Sequence, residues 1–194
     1  RQHGSSVQVG AGPHTRFTGS QMSLETTHLS LIPCAPAHIL TLIEQPERFE
    51  QLAGFPAGGG LREMFASDEV SPDWLAALRV SQRADPWRHG FFLVHREARA
   101  AVGAGGFKGP PDSTGTVEIA YGIAPSFEGH GYATEAAAAL CDFAFDTGLA
   151  ELVRAHTLPV SNASTRVLAK CGFRHVGNVV DPDDGPVWRW ERGC

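Results

Sequence analysis

The stretch that most limits the fold runs from Thr116 to Thr147, where a strand period gives way to a helical one across a glycine turn. From Thr116 to Ile123 the residues alternate, with Val117, Ile119, Tyr121 and Ile123 on one face and Glu118, Ala120 and Gly122 on the other. From about Tyr132 to Thr147, Ala133, Ala136, Ala137, Leu140 and Ala144 recur at helical spacing, and Gly148 stops the run. Between the two lies Glu128-Gly129-His130-Gly131-Tyr132-Ala133-Thr134. A helix amino terminus carries unpaired amides and a partial positive charge, and glycine lets a backbone approach an anion closely, so this turn suits a pyrophosphate.

The rest of the chain builds around that unit. Residues 27–33 read as a short strand, and residues 37–55 as one or two short helices with Leu40 and Ile43 on a common face. Pro56-Ala57-Gly58-Gly59-Gly60 reads as a break, making residues 56–70 a mobile connection before a helix capped by Ser71-Pro72. Residues 91–95 and 101–107 are apolar runs separated by charge, as in a hairpin. Beyond the glycine-turn helix come a strand at 153–158, a helix at 164–170 and a closing hairpin of 174–180 with 187–191. Trp188 and Trp190 share a face of its last strand and read as core. A meander, strand-helix-strand-helix and a hairpin make an α/β layout with a mixed sheet.

The 194 residues, 42% of them hydrophobic, suit one domain with a sizeable core. We expect that domain over residues 22–194, with 1–21 a disordered extension ahead of a natural start at Met22. The net charge of −5 gives no reason to expect nucleic acid or a membrane as partner. Cys34, Cys141, Cys171 and Cys194 are scattered, with no metal-ligand spacing, so no metal is expected and the thiols read as reduced in a cytoplasmic protein. No apolar run reaches the roughly 20 residues that cross a bilayer.

The turn lacks the Lys-Ser/Thr of a P-loop, since Tyr132-Ala133 stand there, and Thr134 replaces the third glycine of a dinucleotide fingerprint. Its pattern resembles instead the cofactor motif of the GNAT superfamily of acyl-CoA N-acyltransferases, in which Gln or Arg, two residues, Gly, one residue, then Gly or Ala follow one another. Tyr132-Ala133-Thr134-Glu135-Ala136 is similar to the RimJ/RimL branch, and Glu128 departs from the family's Gln or Arg. A second motif, Ser161 to Phe173, falls at the family's distance. The resemblance covers about Thr26 to Arg192 and implies a mixed, largely antiparallel sheet flanked by helices. It also implies acetyl-CoA as co-substrate, bound by Glu128 to Thr134, where His130 contributes its backbone. The acceptor it implies is a primary amine, on a small molecule or a protein N-terminus, and it allows a homodimer.

Attack of an amine on a thioester needs a base for the ammonium, donors for the oxyanion and a proton for the thiolate. Glu118, beside the small Ala120 and Gly122, is the favoured base; Glu135, already explained by the helix dipole, is a weaker rival. The other reading of Glu118 is an ordinary half-exposed strand residue, or one that pairs with a nearby arginine. The resemblance puts a backbone N–H near Tyr121 to Ile123 at the oxyanion, Leu168 where many members carry an acidic tyrosine, and Ser164 as the proton donor. Ser164 also reads as a helix cap. The family's asparagine falls on Ser161 without a gap or on Asn162 with a one-residue shift, where it would hold the pantetheine arm; its other reading is a cap. Cys171 reads as core. Glu128 and Leu168 keep open an alternative, an acyl-CoA-binding sensor that has lost turnover.

Overall fold

The computed structural model describes residues 17–18, 21–67 and 70–194. Its strands are β1 (Phe17–Thr18), β2 (Gln21–Met22), β3 (Leu24–Glu25), β4 (Leu29–Pro33), β5 (Phe91–His95), β6 (Ala100–Phe107), β7 (Thr116–Ile123), β8 (Leu152–Thr157), β9 (Arg174–Asp181) and β10 (Gly185–Gly193). Its helices are α1 (Pro36–Glu44), α2 (Phe49–Ala53), α3 (Leu61–Phe65), α4 (Pro72–Val80), α5 (Pro86–His89), α6 (Tyr132–Asp146) and α7 (Ala163–Lys170). β1 and β2 pair with each other; the rest form one sheet in the order β3-β4-β5-β6-β7-β8-β10-β9. Its strand pairs are antiparallel except β7 with β8. This is the mixed, largely antiparallel sheet that the resemblance implies.

The apolar run 91–94 of β5 follows from burial on both faces. Phe91 and Leu93 join a cluster with Val117, Ile119, Leu140 and Trp190 beneath α6 and α7. Phe92 and Val94 join Ile39, Leu42, Phe49, Leu61 and Leu78 beneath α1 to α4. The deep face of α1 is therefore Ile39 and Leu42, with Leu40 and Ile43 partly buried beside it. Trp190 is buried and its indole donates to Thr157 Oγ1 at 3.0 Å, whereas Trp188 is only partly buried.

The segment read as a mobile connection is docked. Gly58 N–H donates to Ala101 O at 2.7 Å, Ala101 N–H to Pro56 O at 2.9 Å, and Leu61 of α3 is fully buried. A Cβ on Gly58 would stand 2.7 Å from both Ala101 O and the Phe127 ring. The glycines here permit close packing of backbone on sheet rather than freedom. Ser71 caps α4, accepting from Trp74 N–H at 3.1 Å. The expectation that residues 1–21 form an extension falls largely outside the described residues.

β7 and β8 pair over Thr116–Glu118 and Leu152–Arg154 only. Beyond that rung β8 continues on β10, from Leu152↔Gly193 to Thr157↔Trp188, while β7 stays on β6 as far as Ile123. The sheet is thus split between β7 and β8, and the glycine turn lies at the open end.

Candidate active site

In the turn, Gly129 and Gly131 hold φ of +81° and +82°, in the left-handed region that favours glycine, with no heavy atom within 4 Å of a Cβ built on either. Gly131 is the N-cap of α6 and offers no side chain to cap it. Among the described residues, no hydrogen bond engages the N–H of Gly129, His130, Gly131, Tyr132, Ala133 or Thr134. A 15-residue helix therefore directs a row of free amides outward.

These amides face a cleft of about 510 Å³ between β7, the turn and α7. Tyr121, Gly122 and Ile123 form its floor; Ala163, Ser164, Arg166, Val167 and Lys170 form the wall opposite the turn. Arg166 and Lys170 are exposed cations one turn apart on α7; neither is assigned by the motif, and their four-residue spacing is the signal that places them on one helix face. Free amides, the helix dipole and two cations fit a phosphate-bearing acyl-CoA; Glu128, also in the lining, opposes it. Of the turn residues expected to hold the ligand, Glu128, Gly129, Gly131, Tyr132, Ala133 and Thr134 line the cleft, as does Ile123, while the exposed His130 does not.

The floor also offers backbone donors. Along the β6–β7 ladder Ala124 N–H and Glu118 C=O face β6, at 2.8 Å from Val102 O and 2.9 Å from Lys108 N. Alternation then turns the N–H of Tyr121 and Ile123 toward β8, from which β7 has parted. Burial pushes the Tyr121 phenol well above its ordinary pKa, so it stays neutral in the cleft.

Asn162 is the N-cap of α7: its side chain accepts from Thr165 N–H at 3.1 Å, and Thr165 Oγ1 accepts from Asn162 N–H at 3.0 Å, closing a capping box. Its carbonyl oxygen is thus committed to the helix, and Asn162 is absent from the cleft lining. Ser164 is not the cap; it stands in the first turn of α7, exposed and facing the cleft. Leu168 is 1% exposed and belongs to the core beneath α6. Cys171 is buried too, and burial raises its thiol's pKa, with the Arg192 charge opposing.

Glu118 lies at the last rung before the split, on the face opposite Val117 and Ile119, which is also the face of Ala120 and Gly122. Its Oε1 lies 2.7 Å from His156 Nδ1 and 3.1 Å from Lys108 Nζ. Its partners are thus the Lys108 ammonium and the His156 imidazole, and no arginine pairs with it among the described residues. Met64 of α3 lies over Gly122, where a Cβ would stand 2.7 Å from its methyl carbon. Glu135 is spoken for: Thr26 Oγ1 and His28 N–H donate to Oε1 at 2.7 and 2.9 Å, and His28 Nδ1 lies 2.7 Å from Oε2. Partial burial pushes this carboxyl up, but the hydrogen bonds from His28 and Thr26 outweigh it and hold the pKa below the ordinary value.

Residues 29–174 match the family model of the acetyltransferase (GNAT) domain. An FsC-acetyl coenzyme A-N(2)-transacetylase of Aspergillus fumigatus is 36% identical over 81 residues, which are 41% of this chain and 34% of the relative. The match therefore spans about a third of that relative's length. Among solved structures, a ribosomal-protein-S5-alanine acetyltransferase of Vibrio fischeri superposes with a TM-score of 0.61 at 16% identity, over 88% of this chain and 96% of the other. RimJ of Mycobacterium smegmatis, in complex with CoA-disulfide, superposes with a TM-score of 0.56 at 21% identity, over 85% of this chain and 81% of the other. These structures share the fold, and with the family model matched across most of its length the chain belongs to the GNAT acetyltransferase family.

Proposed function

We propose that the protein transfers an acetyl group from acetyl-CoA to a primary amine, on a protein N-terminus or a small molecule, by direct attack in a ternary complex. The observation that carries this reading is the row of unpartnered amides that faces the cleft at the glycine turn. Glu118 is not in the lining of that cleft; it stands at the last β7–β8 rung, from which the split opens toward the turn. The bound thioester supplies an activated acetyl group. The amides of Gly129 to Thr134, with Arg166 and Lys170, hold the phosphates, and the N–H of Tyr121 or Ile123 orients the thioester carbonyl. Glu118 takes a proton from the acceptor ammonium, freeing the nitrogen lone pair that bonds to the thioester carbon; as the C–S bond breaks, the Ser164 hydroxyl hands its proton to the departing thiolate and recovers one from the newly acylated nitrogen.

The same reading takes residues 22–194 as one domain, since both apolar clusters pack on one sheet. Among the described residues no helix is long and apolar enough to cross a membrane, and no group of side chains is arranged to hold a metal ion. The buried Leu168 and the acidic Glu128 favour a second reading, an acyl-CoA sensor without turnover. Thiol release from acetyl-CoA, followed with a panel of amino-terminal peptides and small primary amines, separates the two. Amine-dependent release supports the transferase; tight acetyl-CoA binding without release with any amine leaves the sensor.

A further inference from the structure

His156 is a residue for which neither motif has a use. It sits on β8 two positions beyond the last rung shared with β7, and its neighbours Val153 and Ala155 point into the core beneath α6 and α7. The imidazole therefore stands on the opposite face, that of Glu118, with its side chain 13% exposed. Its cross-strand partner on β10 is Arg189, whose Nε lies 3.1 Å from His156 Nε2. Arginine nitrogens donate and cannot accept, so Nε2 carries the lone pair and the ring proton sits on Nδ1. That N–H donates to Glu118 Oε1 at 2.7 Å. The ring is neutral in this arrangement, because a proton on Nε2 would break the Arg189 bond.

The two oxygens of Glu118 are thereby unlike. Oε1 takes both His156 and Lys108, whereas Oε2 has no partner among the described residues and is not among the buried, unsatisfied atoms, so it meets solvent. We propose that Arg189 and His156 form a clamp across the β7–β8 split in which His156 is a positioning residue: it fixes Oε1 and leaves Oε2 as the oxygen that receives the acceptor's proton. The inference rests on Glu118 being the base. In the step it describes, one N–H bond of the acceptor ammonium breaks, an O–H bond forms at Oε2, and the nitrogen keeps the electron pair for attack. After turnover Oε2 returns the proton to water. Lys108 is 53% exposed and shares Oε1, so it screens the carboxylate without occupying the reacting oxygen. Nearby, Arg154 Nη2 donates to Glu191 Oε2 at 3.1 Å while the Arg154 Nε has no partner among the described residues, and Asp181 lies within electrostatic reach of both Lys108 and His156, with Asp184 acting on Lys108.

Two measurements test the clamp. Nitrogen NMR of the imidazoles in the whole protein, with His156 assigned by its loss in His156→Leu, reads the tautomer without requiring turnover. A neutral ring protonated on Nδ1 at neutral pH is expected, and a ring protonated on Nε2 or on both nitrogens overturns the clamp. Steady-state kinetics then compare His156→Leu with His156→Asn, whose amide N–H can stand near Nδ1. His156→Leu should lower kcat about tenfold or more with the acetyl-CoA dissociation constant unchanged, and His156→Asn should recover most of that loss. An unchanged kcat in His156→Leu, or failure of the folded Asn variant to recover activity, overturns the role. Absence of amine-dependent thiol release from the wild type strikes the transferase reading instead, and the NMR result still decides whether the clamp exists.

Discussion

The glycine turn and the β7–β8 split are built from different materials. At the glycine turn the groups proposed to bind acetyl-CoA are main-chain amides, left free by the end of α6 and reachable because Gly129 and Gly131 adopt positive φ and no side chain crowds them. At the β7–β8 split the groups proposed to act are side chains, Glu118, His156, Arg189 and Lys108, brought from four places in the sequence by strand register. A site made of backbone depends on conformation and tolerates exchange of the side chains around it. A site made of side chains depends on the identity of each. That is why an acid at Glu128, where the family prefers Gln or Arg, is compatible with the cofactor end.

The comparison breaks hardest at the split. Glu118→Gln removes the base while keeping its shape, and kcat should fall about 10²- to 10⁴-fold with acetyl-CoA affinity unchanged, read by steady-state kinetics beside calorimetry. Gly131→Val acts at the other end. Its residue would have to hold φ near +82°, which costs about 1–3 kcal/mol, so the turn relaxes and the amides lose their aim. The acetyl-CoA dissociation constant should rise about 10- to 100-fold, while kcat at saturation changes little.

Glu135 separates support from chemistry. Its carboxyl is held below its ordinary value of 4.5, so its contribution to stability is present above that value and is lost as pH falls through the lowered pKa. Glu135→Gln should cost about 1 kcal/mol near pH 7, with the difference from wild type shrinking as pH is lowered below 4.5, as denaturant midpoints at neutral and acid pH will show. The smallest effect is expected at Glu128. Removing an exposed negative charge from the phosphate site in Glu128→Gln should tighten acetyl-CoA about two- to fivefold, and the gain should shrink with added salt.

The same contrast explains what the sequence disclosed. Strand alternation at Thr116 to Ile123, the glycine turn and α6 are local patterns, and they appear at the expected residues. What depends on register did not appear: nothing near Glu118 in the chain announces His156, 38 positions on, or Arg189 beyond it. Composition misled at residues 56–70, where Gly58 reads as a break yet lies against Ala101 and Phe127 because only glycine fits there. At Asn162 the motif named a binding residue where the local geometry forms a capping box. At Ser164 the cap reading fails because α7 begins at Ala163 and Asn162 is its cap.

Calorimetric titration of acetyl-CoA into the wild type, Gly131→Val and Glu118→Gln asks whether the free amides at the start of α6 hold the cofactor. Micromolar binding to the wild type, equal binding to Glu118→Gln and binding at least about tenfold weaker to Gly131→Val are expected. No binding to the wild type, or binding that Gly131→Val leaves unchanged, would contradict that role.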